Sequence, residues 1–128
     1  SLKEFSPLPL FADENSLVSS DIPKIVDCFD GINIKLMKCG GLGEALKMIE
    51  IAKHFDMQIM LGCMVESSVG ITAAAQLASE AVAVDLDGNL LIDNDPYMGV
   101  EVIEGRLHLS PNNYGMGLSL SKQEEGLL

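Results

Sequence analysis

The stretch Ile32-Asn33-Ile34-Lys35-Leu36-Met37-Lys38-Cys39-Gly40-Gly41 sets a lysine inside an apolar, β-branched run and ends that run on two glycines. Ile32 to Leu36, opened by Gly31, reads as a strand, because β-branched side chains fit a pleated, half-buried surface. An ammonium within such a strand is costly unless it is paired or neutralised, which marks Lys35 as a candidate functional group. The plainer alternative is an edge strand with Lys35 turned to water. Gly40-Gly41-x-Gly43 invites a phosphate-binding reading. Leu46 stands where a GxGxxG motif needs its last glycine, however, and no Walker lysine follows, so the glycines are read as a tight turn.

Working outward, Leu42, Ala45, Leu46, Ile49, Ala52 and Phe55 recur at helical spacing, with Glu44, Lys47, Glu50 and Lys53 on the other face. Gln58 to Met64 is apolar on both sides, as a buried parallel strand should be. Ser67 or Ser68 then opens an alanine-rich helix to about Glu80, and Ala81 to Asp85 forms a fourth short strand. Upstream, Pro9 to Asp13 is the first strand. Ser19, Ser20 or Asp21 caps a helix with Pro23 in its first turn, running to about Phe29. Strands alternating with helices imply parallel βα units with right-handed crossovers, hence an α/β fold. Two architectures fit: a doubly wound sheet, or half of a (β/α)8 barrel, whose complete form takes about 250 residues.

The 128 residues carry 19 acids against 8 bases, a formal charge of −11, and are 48% hydrophobic. That length suits one domain with a real core, and that apolar share excludes a disordered chain. No apolar run reaches the roughly 20 residues needed to span a bilayer, and the opening Ser-Leu-Lys-Glu does not read as a signal peptide. An acidic surface repels nucleic acid and anionic lipid, so neither is expected as a partner. Cys28, Cys39 and Cys63, odd in number and without metal spacing, point to a reduced, cytoplasmic protein. His54 and His108 have no partners at ligand spacing. Beyond Glu80 the pattern changes: residues 80–128 hold 9 acids and 2 bases, against 10 and 6 before them. Gly99 to Leu109 looks like two strands around Glu104-Gly105, and the chain from Leu118 onward is expected to fray.

The ionisable residues discriminate further. Asp13 ends the first strand, Lys35 lies in the second, Glu66 just follows the third and Asp85 ends the fourth. In parallel α/β folds the carboxyl ends of the strands open on one side, so these groups are expected to converge on one mouth. Read alone, Asp13 serves equally as a helix cap and Asp85-x-Asp87-Gly88 as turn chemistry.

The segments FADENS (11–16), INIKLMKCGG (32–41), LGCMVESSVGITAAAQLAS (61–79) and VDLDG (84–88) resemble the carboxyl-terminal half of an enolase-superfamily barrel. The similarity is to the muconate-lactonizing subgroup, and within it to dipeptide (L-Ala-D/L-Glu type) epimerases. The resemblance implies four parallel strands of a (β/α)8 TIM barrel over residues 1–95. Residues 96–128 would be an acidic, partly β return segment, loosely held in the absence of a capping domain. It implies Asp13 as a ligand of Mg2+, Lys35 as a general acid/base, and Asp85 and Asp87 as the pair holding a substrate α-ammonium. Met64 and Val65 would line the substrate pocket with the substrate-binding candidate Glu66 close by, while Lys38 and Glu14 also match family positions.

The chemistry suits those residue types. Removing a proton α to a carboxylate builds negative charge that a hard, oxygen-loving divalent cation can hold. A lysine acting as a base must be neutral, so its reference pKa near 10.4 has to fall through burial and nearby positive charge. The resemblance further implies that a second lysine, two more metal carboxylates and the capping domain belong to a half outside these residues. The chain is therefore expected to be a fragment of an isomerase, inactive alone and with magnesium binding weak or absent, its substrate a dipeptide or other carboxylic acid. Muconate or chloromuconate cycloisomerisation is the alternative reaction, and a non-catalytic α/β assembly or binding module the alternative role. Unpaired edges on the first and fourth strands are expected to drive homo-oligomerisation.

Overall fold

Four parallel strands, β1 (Phe11–Ala12), β2 (Gly31–Lys35), β3 (Gln58–Gly62) and β4 (Ala83–Val84), pair in the order β1-β2-β3-β4 in a computed structural model that describes residues 2–110 and 114–121. A doubly wound sheet reverses its strand order part-way and carries helices on both faces. Sequential order with right-handed crossovers instead puts every connection on one face. The chain thus takes the barrel alternative, as four consecutive strands of a β/α barrel.

Alternation along β2 sorts its side chains. Ile32 and Ile34 are buried with Ala12, Ile59 and Leu61 in the main core, leaving Asn33 and Lys35 on the opposite face. The core is closed by α2 (Leu42–His54), through Ala45, Met48, Ile49 and Ala52, and by Ile22 and Ile25. The buried stripe of α2 is rotated from the expected one. Met48 is fully buried, whereas Leu46 and Phe55 are 49% and 39% exposed.

Other boundaries also shift. The expected helix from Ser19 to Phe29 is a six-residue 3-10 segment, Ser19–Lys24, followed by turns. Pro23 has no N–H with which to extend an α-helical ladder. A short helix, α1 (Leu36–Cys39), follows β2 directly and stops at Gly40 and Gly41, whose φ angles of 94° and 121° only glycine adopts readily. The tight-turn reading of these glycines therefore holds. The alanine-rich helix, α3 (Ser68–Ala75), is shorter than expected and gives way to a 3-10 turn at Ala78–Glu80.

The return segment forms β5 (Tyr97–Met98), β6 (Glu101–Ile103), β7 (Arg106–His108) and β8 (Ser119–Leu120). The β6–β7 hairpin turns at Glu104 and Gly105, both with positive φ, where the sequence places a turn. Two expectations need correction. Ser119 and Leu120 are not frayed but pair antiparallel with β5, while residues 122–128 lie outside the described residues. Nor is the segment loosely held. The Asp95 carboxylate accepts the Ser68 N–H at 2.6 Å, and Thr72 Oγ1 accepts the Val100 N–H at 2.9 Å. Val100 also joins Ile71, Ala74, Ala75 and Leu86 in a second buried cluster. Polar groups of α3 thus anchor the segment that sequence left without a partner. Among the described residues no helix is long and apolar enough to cross a membrane.

Thr72 is fully buried, so Thr72→Val should leave the Val100 N–H unpaired and cost about 1–3 kcal/mol. Urea unfolding would show the lower midpoint, and amide exchange at Val100 should accelerate more than exchange in β2.

Candidate active site

The carboxyl edge of the sheet carries two groups of polar side chains. At the β1–β2 end, Asp13 directly follows β1 and Lys35 closes β2. The first turn of α1 brings Lys38 round to the same place. Asp13 Oδ2 accepts a hydrogen bond from Lys35 Nζ at 2.7 Å, and Oδ1 accepts one from Lys38 Nζ, also at 2.7 Å. Lys38 donates in addition to Glu14 Oε1 at 2.6 Å. The lysine side chains are only 15% and 18% exposed, so this is no solvated surface pairing. Lys35 is not turned out to water.

The charges follow from that geometry. Burial raises the Asp13 pKa, but the hydrogen bonds and charges of Lys35 and then Lys38 outweigh it and hold the carboxyl below its ordinary value. Hydrogen bonds to Asp13 and Glu14 push Lys38 up, and the Lys38 contact draws exposed Glu14 down.

At the β3–β4 end, Cys63, Met64 and Val65 line a cleft of about 270 Å³ with Asp85, Asp87, Gly88 and Leu91. The two loops touch at Gly88, where a Cβ would run into the Met64 carbonyl and crowd Cys63 Sγ. The Asp85 N–H donates to the Leu61 carbonyl at 2.8 Å, carrying the β3–β4 ladder one residue past the strand. Asp87 then starts a 3-10 turn, Gly88–Leu91. The aspartate pair thus both turns the chain and lines the cleft. Neither carboxylate has a cationic partner among the described residues. Burial, and the negative charges of Asp85 and Asp87, push the Cys63 thiol up against the opposing backbone hydrogen bonds of Gly88 and Asp87.

Asp13 and Lys35 are brought into direct contact, and Asp85, Asp87, Met64 and Val65 share the neighbouring cleft, with the end of β3 between the two groups. Glu66 stands beside the cleft in the same loop. Its Oε1 accepts the Met64 N–H at 3.1 Å and its carboxylate lies against Gly70. Two residues went unnoticed in the sequence. Asn33 shares the Lys35 face of β2, and its buried Oδ1 has no hydrogen-bond partner among the described residues. Gly62 is the register partner of Lys35 on β3. An amide two residues from Lys35 in an apolar strand was the available signal for the first.

Asp13 is the kind of hard oxygen donor that magnesium takes. Among the described residues, no three His, Cys, Asp or Glu side chains come close enough to hold a metal ion, so the described residues offer it a single carboxylate with Glu14 beside it.

Residues 1–124 match the family described as "Enolase C-terminal domain-like". The chain belongs to that family. It is 50% identical over 105 residues to the L-Ala-D/L-Glu epimerase of Bacteroides thetaiotaomicron, covering 82% of this chain and 27% of that protein. Among solved structures, it resembles a dipeptide epimerase from Enterococcus faecalis complexed with Mg and the dipeptide L-Leu-L-Tyr. That match has a TM-score of 0.80 and 37% identity, over 91% of this chain and 35% of that one. A substrate-liganded L-Ala-D/L-Glu epimerase from Bacillus subtilis superposes with a TM-score of 0.81 at 30% identity, covering 90% of this chain and 34% of that one. The enolase-family chain thus spans about a third or less of the length of the relatives it matches. Its four-stranded sheet is the corresponding part of their barrel.

Because the Asp13 carboxyl titrates lower in the fold than in the unfolded chain, its stabilisation is present above the ordinary value of 3.8 and disappears as pH falls through the folded value. Asp13→Asn should therefore lower stability by about 1 kcal/mol at pH 7 and flatten the loss of thermal midpoint below about pH 4. Calorimetry of both chains across that range would show the difference.

Proposed function

We propose that the chain is the carboxyl-terminal half of a magnesium-dependent isomerase that removes the proton α to a carboxylate, and that the substrate is a dipeptide. The observation that carries this reading is the placement of Lys35. It is a cation on the helix-free face of an otherwise apolar strand, held by Asp13 at the same sheet edge as the Asp85–Asp87 cleft. As the ammonium held by Asp13, Lys35 would deliver a proton to one face of the substrate carbon, and once neutral it would remove one from that same face. Asp85 and Asp87, two carboxylates without an ion-pair partner among the described residues, suit an α-ammonium group, with Met64 and Val65 as apolar walls. A muconate-type substrate has no ammonium to place there, which favours the epimerase over the cycloisomerase. The epimerase names of the relatives from Bacteroides thetaiotaomicron and Enterococcus faecalis support the same choice.

Asp13, whose two oxygens accept from Lys35 and Lys38, would be the carboxylate that this chain offers to Mg2+. When bound, the ion supplies positive charge against the negative charge that develops on the substrate carboxylate. Inversion at carbon needs a second proton carrier on the opposite face, and none is assigned here. The reading therefore divides the chain into a catalytic half-barrel, 1–95, and a return segment, 96–128, neither sufficient alone. Three free thiols favour a reducing, cytoplasmic setting.

Deuterium uptake at a dipeptide α-carbon in D2O tests the reaction. With Mg2+ and the complementary amino-terminal half of the parent, exchange should appear. Lys35→Met should slow it at least about 100-fold for the epimer whose α-proton faces Lys35, and Asp85→Asn should chiefly weaken dipeptide binding. Undiminished exchange of both epimers in Lys35→Met would sink the assignment.

The edges of β1 and β4 have no further strand among the described residues, which supports association of this chain with a second copy. Light scattering at micromolar concentration should give at least twice the 13.7 kDa chain mass.

A further inference from the structure

Gly62 has an ordinary strand backbone, with no positive φ to call for glycine. Gly62 is the last residue of β3, and a glycine in a strand often marks a place where other atoms approach closely. A Cβ at this position would stand 2.6 Å from Asn33 Oδ1, 2.9 Å from Asn33 Nδ2 and 2.9 Å from Lys35 Cε. Such separations are too short for real atoms, so any side chain at Gly62 would displace the amide or the amine. Asn33 and Lys35 stand side by side on one face of β2, and Gly62 is paired with Lys35 across the ladder. The bare Cα of Gly62 is thus the floor over which both side chains lie.

The Asn33 amide adds a second observation. Its Oδ1 is buried without a hydrogen-bond partner among the described residues, an arrangement proteins tolerate only for a reason. Beside it runs Lys35, whose ammonium carries three hydrogens and donates to Asp13. We propose that Gly62 and Asn33 are positioning residues: together they form a slot that directs the Lys35 side chain across the sheet to Asp13. The proposal rests on the reading of Lys35 as the acid/base group. Gly62 keeps the slot open and Asn33 walls it, so the amine reaches the carboxylate along one path.

Filling and emptying the slot are opposite changes that should compensate. The test uses the whole 128-residue chain labelled with 13C-lysine, with the Lys35 Cε–Hε resonance assigned through Lys35→Arg. In the unaltered chain this signal should be displaced from those of exposed Lys24 and Lys47. Gly62→Ala should move it toward the exposed lysines, and Asn33→Ala, which only removes atoms, should broaden it or split it as the side chain gains freedom. Circular dichroism should be unchanged in both. In the double variant the new methyl occupies the space the amide vacated, and the signal should return toward its original position. Because Asn33→Ala adds no bulk, it carries the test should Gly62→Ala fail to fold. A Lys35 resonance in Asn33→Ala that neither broadens, splits nor moves, or a double variant no nearer the original than Gly62→Ala, would overturn the slot. This readout needs neither substrate nor metal, so its failure is separate from a failure of deuterium exchange.

Discussion

Gly31 to Lys35 of β2 pair residue for residue with Gln58 to Gly62 of β3, the longest ladder among the described residues, and the rest of the molecule is arranged by that register. Because a strand alternates its side chains, the pairing sends Ile32, Ile34, Ile59 and Leu61 to the helix side and leaves Asn33, Lys35 and Gly62 on the other. A slip of one residue would bury the lysine among the helices and expose the isoleucines. The apolar core and the candidate site are thus opposite faces of one constraint.

The Asp13 carboxylate depends on the same constraint. It sits where β1 ends, one strand away from Lys35, and it neutralises two partly buried ammoniums at once. A buried charge with no partner is costly, whereas one shared among hydrogen-bonded partners is tolerable. Lys38 reaches it only because α1 starts immediately after β2 and ends one turn later at Gly40 and Gly41. The glycines that looked like a phosphate loop therefore serve the site indirectly, by stopping α1 where α2 can begin and return to the core.

β1 and β4, at the two edges of the sheet, each pair over only two residues. At the β4 edge the loop from Asp85 to Leu91 is held by close packing of Gly88 on the Met64 carbonyl and Cys63 Sγ. The return segment, through Asp95, Val100 and Thr72, then braces the helix behind that loop. Because α3 follows the loop that carries Met64 and Val65, the brace bears on the cleft itself.

Local pattern was enough to read the parallel βα units, the site of Asp13 and Lys35 at strand ends, the glycine turn and the Glu104-Gly105 hairpin. Each rests on short-range physics: β-branched runs, the period of a helix, and the backbone freedom of glycine. The FADENS, INIKLMKCGG and VDLDG segments together carried enough information to place the family. The tertiary structure decided what depends on distant partners. Periodicity weighs Leu46 and Phe55 like Ile49, but only packing shows that Met48, not they, faces the core. The Glu66 carboxylate was sequestered by its own loop, and the tail that looked unanchored found its partners on α3, some 28 residues away at Thr72. Gly62 is the clearest case. Nothing in its own stretch distinguishes it, because the two side chains that need its missing Cβ lie on another strand, and strand register is settled only when the whole sheet assembles.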